Sequence, residues 1–569
     1  MIRLKRLTIY RLGGWIRSGK TEFGVRKEFG PRSLSVRGGL EGAGGSILKL
    51  ISDVGLEDKV VLANPLSKTR YIYWQNGLRK VPSTFKEALP YGKSKLLMKG
   101  VWPGILAEPF RPGLDGSIYT DTEDMSVGEF FTRRFNSSLT EKFIDPMVAG
   151  IYAGDTHRIS MQACFPQLFD LARERNSLIL GGLLGPGKKR GQRGFRFAPG
   201  IVPTSEFKQE AKRIADSIDP AGFKAIKKAA IFSLQGGLEG LTQALSERIS
   251  KPGEHPPVDV RMNSCVTGLE PHPDGVQVHF ANSEKPEKFD YVFYAGSAES
   301  LGTAIKPASL RAAEELASIP SATLWIANAT YRRRPQDRVD IYYYVGGRAI
   351  PAVDKDIPRP QGFGMLVPAD VVREKQLVTA PVNSFYVGEK VRKSFLRSHI
   401  LKEVHPLYGL LGIVFDSDIF PSEFGLDENL AVKEDEDEIT SLTCMIGGDR
   451  YPTMKDVSED DIKLCVKDYL TQTLGITVEP ESLEVHKTEK CIPQYRVGHV
   501  DKVKRIREEI GKVFGVAPPS PGQQAGWPRV TLLGASYESP AIPNLVHDSM
   551  QCGMAFALTK ASENGSTKP

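Results

Sequence analysis

Apolar and polar positions change rhythm several times along the chain, and each change predicts a different element. Residues 22–82 read as short strands around one amphipathic helix, Gly45–Leu56, where apolar positions recur at helical spacing. In the same region Arg70-Tyr71-Ile72-Tyr73-Trp74 is a β-rich run turned back by Asn76-Gly77, residues that accept the positive φ of a tight hairpin. From Ala88 to Pro112 the apolar residues Leu96, Leu97, Met98, Val101, Trp102, Ile105, Leu106 and Phe110 stand among Lys93, Lys95, Lys99 and Arg111. That mixture suits a surface lying on a membrane, and equally a core-facing helix broken at Pro103-Gly104. Residues 125–180 read as helical, with Phe130, Phe131 and Phe135 at core spacing.

Further along, Gly185–Gly200 is a basic Gly/Pro stretch of the kind that forms a solvated loop. A second α/β unit opens at Phe232–Leu238, and the runs Val258–Leu269, Gly275–Phe280 and Phe289–Ala295 are expected to return the chain to the first unit's sheet. Segment 321–450 mixes strands with two long polar stretches, about 331–360 and 370–408, and an acidic run, Asp427–Glu438. Loops of that length are unusual inside compact domains. Residues 455–475 and 500–515 are predicted helices, and Arg529–Ser536 a last buried strand. No internal repeat is visible.

Composition narrows the chemistry. Across 569 residues, 75 basic and 68 acidic side chains leave a net charge of +7, mild enough to suit anionic lipid or an acidic substrate. No motif or basic-aromatic stripe points to nucleic acid. Six scattered cysteines form no CxxC pair and the histidines no HxxxH or HExxH spacing, so neither a metal nor a disulfide framework is expected. No apolar run reaches the ~18 residues needed to span a bilayer. Residues 1–21 are basic without an acid, like a mitochondrial presequence, but Arg3–Tyr10 reads better as a strand.

Most informative is Arg11-Leu12-Gly13-Gly14-Trp15-Ile16-Arg17-Ser18 followed by Glu28-Phe29-Gly30-Pro31-Arg32, since paired glycines after a strand let backbone approach a dinucleotide. With KTRYIYW, SVGEFFTRRF, EKFIDPMVAGIYAGD, FSLQGGLEGL, QGFGMLVP, GLLGIVFDS, CMIGG, IPQYRVGH and LLGASYE in that order, the chain resembles the protoporphyrinogen oxidase family, a branch of the flavin amine oxidases. The resemblance covers almost everything after residue 11.

It implies an α/β fold with an FAD-binding Rossmann-like domain in three parts (1–84, 225–320 and 486–569). These are interleaved with a helical membrane-associated domain (85–224) and a mixed α+β substrate domain (321–485). It implies that Trp15, Gly30, Pro31, Arg32, Ser33, Val266, Ala535, Pro540, Ala541 and Ile542 line FAD. It further implies that Leu366, Val414 and Met445 pack on a macrocycle, that Arg70 binds a propionate, and that the backbone carbonyl of Gly150 approaches the carbon losing hydrogen. The expected activity is oxidation of protoporphyrinogen IX to protoporphyrin IX, with hydride passing to FAD and O2 giving H2O2. The expected setting is the surface of the mitochondrial inner membrane in a eukaryote, with a homodimer as an option.

Only ten residues precede Arg11, and Leu7 stands where the family has its ribose-binding acid. The GxGxxG unit is thus expected to be missing, and the chain as written to bind FAD poorly. Ser539 and Pro540 depart from the family pattern too, because Pro540 has no N–H to donate. A non-catalytic binding protein that keeps the fold, a truncated gene product, and another amine oxidase or desaturase are the alternative readings.

Overall fold

The computed structural model describes residues 5–7, 11–89, 92, 94–111, 124–185, 205–251, 258–334, 342–345, 348–351, 361–373, 405–426, 436–517 and 526–563. Nearly all of the basic stretch Gly185–Gly200, most of the two long polar stretches and of the acidic run, and Lys93 lie outside the described residues.

The largest element is a seven-stranded mixed sheet. Its strands are β1 (Arg70–Tyr73), β2 (Leu78–Lys80), β3 (Ser321–Arg333), β4 (Gly364–Leu366), β5 (Leu410–Phe415), β6 (Glu438–Gly447) and β7 (Ser482–Pro493), in the order β7-β3-β6-β5-β4-β1-β2. Only β4 and β1 run parallel; every other pair is antiparallel. β5 is continuously apolar and buried, and β3 is buried through most of its length, as strands covered on both faces must be. One face packs on the helix Glu459–Leu474, whose Ile462, Cys465, Val466 and Tyr469 join Ala327, Ile413 and Cys444 in a single core. Ser458 caps that helix at its start and Gly475, at φ 74°, ends it, both in the positions these residues favour.

The β1–β2 hairpin forms as the pattern predicts, displaced by one residue: the two positive-φ positions are Gln75 and Asn76, and Trp74 N donates to Gly77 O. The second α/β unit follows expectation in part. Val266–His272, Gly275–Phe280 and Ser283–Phe289 form their own antiparallel meander, so Gly275–Phe280 does not return to the first unit's sheet. Short loops separate these runs, and short loops join antiparallel strands, whereas parallel pairs need a long crossover. The outer two predicted runs do supply parallel strands: Asp259–Arg261, within Val258–Leu269, pairs with Lys5–Leu7, and Val292–Tyr294, within Phe289–Ala295, pairs with Val530–Leu532.

Region 88–112 obeys neither reading whole. Pro103 lies in the first turn of helix Trp102–Ala107 and starts it, because proline's missing N–H costs nothing there. Leu97, Met98 and Val101 are buried, while Leu106 and Phe110 are 66% and 89% exposed. The helices of 125–180 bury Phe130, Phe131 and Phe135 with Val148, Tyr152 and Tyr495. No helix among the described residues is long and apolar enough to cross a membrane. Cys164, Cys444, Cys465 and Cys552 are buried, Cys265 and Cys491 half-buried, and all six are free. Burial pushes the thiols of Cys164, Cys444, Cys465, Cys491 and Cys552 up to about 12.

Candidate active site

The face of the large sheet opposite the helix Glu459–Leu474 collects the residues expected to hold substrate, with Val414 and Met445 packed beside Ala63, Ile419 and Phe420. Gly364 on β4 stands opposite Arg70 on β1 and Val414 on β5; Leu366 stands opposite Ile72 and Gly412, and Gly412 opposite Met445 on β6. Cross-strand partners and residues two apart share a face, so Arg70, Leu366, Val414 and Met445 form one floor across four adjacent strands. Val414 is buried, Leu366 and Met445 are half-buried, and Arg70 is exposed. Glycine at 364 and 412 keeps this floor low: a Cβ at Gly364, where φ is +149°, would lie 2.3 Å from Ile413 O, and one at Gly412 would lie 2.5 Å from Met365 O.

Helix Asp145–Tyr152 lies over this floor. A Cβ on Gly150 would come within 2.7 Å of Leu366 Cδ2, so the helix and β4 meet where glycine permits it. The helix is fixed by Asp145, whose carboxylate accepts from Arg450, from Thr156 Oγ1 (3.0 Å) and from Ala369 N (2.9 Å). It ends at Ala153 in the left-handed region, φ 50°. Gly150 therefore sits in the last turn, where carbonyls lack the following helical amide, and no donor reaches its carbonyl among the described residues. Arg70 stacks on Phe363 at 5.4 Å and has no carboxylate partner among the described residues. Desolvation, then the charge of Arg37, lowers its pKa from the usual guanidinium value.

The two glycine segments near the N-terminus press together. A Cβ on Gly30 would lie 1.9 Å from Trp15 O, and Phe29 N donates to Arg17 O at 3.0 Å. Arg11 donates to Gly14 O and Ile16 O and pairs with Glu239, fixing the turn around Gly13 and Gly14, which have φ of 90° and 57°. Trp15 stands beside this turn 46% exposed. Gly30–Ser33 is pinned through its neighbours: Leu34 bonds Phe232 in both directions, and Arg32 O accepts from Ser233 Oγ (2.9 Å) and Arg26 Nη2 (3.2 Å). Arg32 Nη1 pairs with Asp416 Oδ1 at 2.7 Å, which ties the turn to the end of β5.

Strand Arg26–Glu28 buries three consecutive charges. Arg26 pairs with Glu28 at 2.8 Å, and Lys27 with Glu484 on β7. Burial raises the Glu28 carboxyl pKa above its ordinary range, against the opposing pull of Arg26 and the bonds from Ser18 and Leu238. Neither this strand nor Asp416 is foreseen from sequence. The signal available for Asp416 is an acid ending the wholly apolar run Leu410–Phe415.

The C-terminal segment reaches the same place. Ile542 packs on the cluster of Leu34, Ile47 and Leu234, beside Ile16, and Ala535 O accepts the Tyr495 hydroxyl. Pro540 and Ala541 immediately precede helix Ile542–Glu563, and Ser539 Oγ accepts from Ala541 N (3.3 Å) and Asn544 Nδ2 (2.9 Å). Val266 packs on a different cluster with Val530, Leu532 and Tyr537, so it meets the C-terminal segment rather than the glycine turns.

The chain is 26% identical over 522 residues to protoporphyrinogen oxidase of Schizosaccharomyces pombe, covering 89% of this chain and 85% of that protein. It is 25% identical over 561 residues to human protoporphyrinogen oxidase, covering 97% and 92%. A crystal structure assigned as a protoporphyrinogen oxidase from Exiguobacterium sp. 255-15 superposes with a TM-score of 0.60 at 18% identity, over 98% of this chain and 93% of that one, which shows the fold. Residues 10–421 match the model of the flavin containing amine oxidoreductases; the chain belongs to that family.

Proposed function

We propose that this protein is an FAD-dependent oxidase that converts protoporphyrinogen IX to protoporphyrin IX. The observation that carries the reading is the floor of Arg70, Leu366, Val414 and Met445 with Gly150 above it. It offers apolar side chains with, at their edge, a guanidinium that has no carboxylate partner among the described residues, which suits a greasy macrocycle bearing carboxylates.

The residues at the glycine segments fit a flavin dinucleotide. Gly13 and Gly14 expose backbone in conformations that side chains avoid, Gly30 leaves no room for a Cβ, and the start of helix Ile542–Glu563 lies alongside. Trp15, Gly30, Pro31, Arg32, Ser33, Ala535, Pro540, Ala541 and Ile542 would hold it, with Val266 beyond the C-terminal segment. When bound, FAD supplies the hydride acceptor that O2 restores with release of H2O2. The chain's own part is to orient: Leu366 and Val414 hold the ring plane, Arg70 fixes one edge, and the Gly150 carbonyl offers an acceptor to a pyrrole N–H. No side-chain nucleophile is needed, and positioning does most of the work.

The test is anaerobic and aerobic turnover of protoporphyrinogen IX by the flavin-loaded protein, followed by porphyrin fluorescence. Flavin-loaded protein that leaves the substrate unchanged above the spontaneous rate refutes the reading.

We also propose attachment to the face of a membrane, the mitochondrial inner membrane in a eukaryote. What supports it is a patch of Leu106, Phe110, Leu183 and Leu184, 66–89% exposed. Glu108 joins its two halves by accepting from Leu178 N, at the start of helix Leu178–Leu184. Lys95 and Lys99 line a cleft with Leu96 and Trp102 nearby, as suits an anionic lipid surface. Replacing the four patch residues with Ser should abolish flotation with anionic vesicles; unchanged flotation refutes this attachment.

A further inference from the structure

The Arg32–Asp416 pair joins the cofactor turn to the substrate floor. Asp416 directly follows β5, two residues beyond Val414. One carboxylate oxygen takes Arg32 Nη1 at 2.7 Å; the other accepts the single proton of the Thr443 hydroxyl, whose oxygen lies 2.8 Å from Asn328 Oδ1. Asn328 Nδ2 in turn donates to Glu28 O. Asp416 is thereby held by the Arg32 turn and by β6. The side chains of Arg32 and Asp416 are only 10% and 15% exposed, and neither has a second ionic partner among the described residues.

A guanidinium does not give up its proton in a protein, so an unpaired Arg32 would place a fixed, poorly screened cation beside the cofactor turn. Such a cation favours whatever negative charge the cofactor takes on. Here a carboxylate in direct contact cancels it. We propose that Asp416 is a positioning residue that keeps Arg32 aimed and electrically neutral, and thereby holds down the reduction potential of the flavin. The proposal rests on the flavin reading of the site.

Sulfite tests it, because this anion adds to oxidised flavins and bleaches them, more tightly where the surroundings are positive. In flavin-loaded protein, Asp416→Asn should bind sulfite about tenfold more tightly, equivalent to about +30 mV for a two-electron couple. Arg32→Gln should bind it about tenfold more weakly. Asp416→Glu and the double variant Arg32→Gln/Asp416→Asn should both lie within about threefold of the parent. Should Asp416→Asn fail to fold, the contrast between Arg32→Gln and the double variant carries the test alone. Unchanged sulfite affinity in the single variants, whether or not KM or thermal stability changes, makes the pair a mere strut and overturns the proposal. A protein that stays colourless with FAD even when a GxGxxG strand-turn-helix unit is fused ahead of Arg11 overturns both this and the flavin reading. Shifted sulfite affinity in a protein that ignores protoporphyrinogen supports the pairing and sinks only the substrate reading.

Discussion

The same sheet face serves two purposes at its two ends. Across β1, β4, β5 and β6 it is low, apolar and partly open, floored by Leu366, Val414 and Met445 between glycines. Across β3 and β7 it is closed by the Arg26–Glu28 strand, which sets Lys27 on Glu484 and Phe29 edge-on to His486. Removing side-chain bulk makes room for a ligand at one end; adding buried charge fixes a turn at the other. Apolar floors tolerate many shapes, whereas paired buried charges tolerate very few. The closed end is therefore the rigid reference against which the open end places a substrate.

If that division is right, damage to the closed end should fall on stability and damage to the open end on catalysis. The largest effect is expected from Gly30→Ala. Its Cβ would overlap Trp15 O, so main chain must move, and the loss should exceed about 4 kcal/mol in denaturant unfolding. A midpoint equal to the parent's would show that the turn is not pressed as described. Glu28→Ala comes next, at about 3 kcal/mol, because it leaves buried Arg26 with only the longer 3.8 Å contact to Glu423 as an ionic partner. Replacing Arg26 and Glu28 together by Met and Leu should recover much of that loss.

At the open end, Arg70→Ala should cost about 1.5–3 kcal/mol in kcat/KM, mainly through KM, because the contact is made equally before and during reaction. Arg70→Lys should recover only part. A dimethyl-ester substrate should be indifferent to the change; an equal penalty on acid and ester would make Arg70 structural. The smallest effect concerns His486. Desolvation, then the charge of Arg17, lowers its pKa in the folded protein, so protons bind more readily to the unfolded chain. Its contribution to stability is complete above about pH 6.5 and drains away as pH falls below that value. His486→Gln should flatten the melting temperature between pH 6.5 and 5 relative to the parent; an identical slope would mean that His486 is fully solvated.

The open end was legible in sequence and the closed end was not. Arg70–Tyr73 announces itself as a strand, whereas Gly150, Leu366, Val414 and Met445 read as ordinary core positions and are singled out only by the family resemblance of the motifs that contain them. The strand Arg26–Glu28 hides because consecutive charges ordinarily mark a solvated face. Its partners at Ser233, Leu238 and Glu484 lie more than 200 positions away, beyond the reach of local periodicity. Ser283–Phe289 hides for a related reason, since a mostly exposed strand need not alternate apolar with polar. Region 88–112 defeats a single label because neighbouring residues there point into the core and out of the molecule.

The burial of the cysteines bears on how long such an enzyme can work. The proposed turnover makes peroxide within the protein's own walls, and peroxide attacks thiolates far faster than thiols. Cys164, Cys444, Cys465, Cys491 and Cys552 are held as thiols by burial, with pKa values pushed up to about 12. At neutral pH these five sulfurs are almost wholly un-ionised. A protein built this way can generate an oxidant repeatedly while presenting few thiolates to it, so oxidation at these five cysteines should be slow.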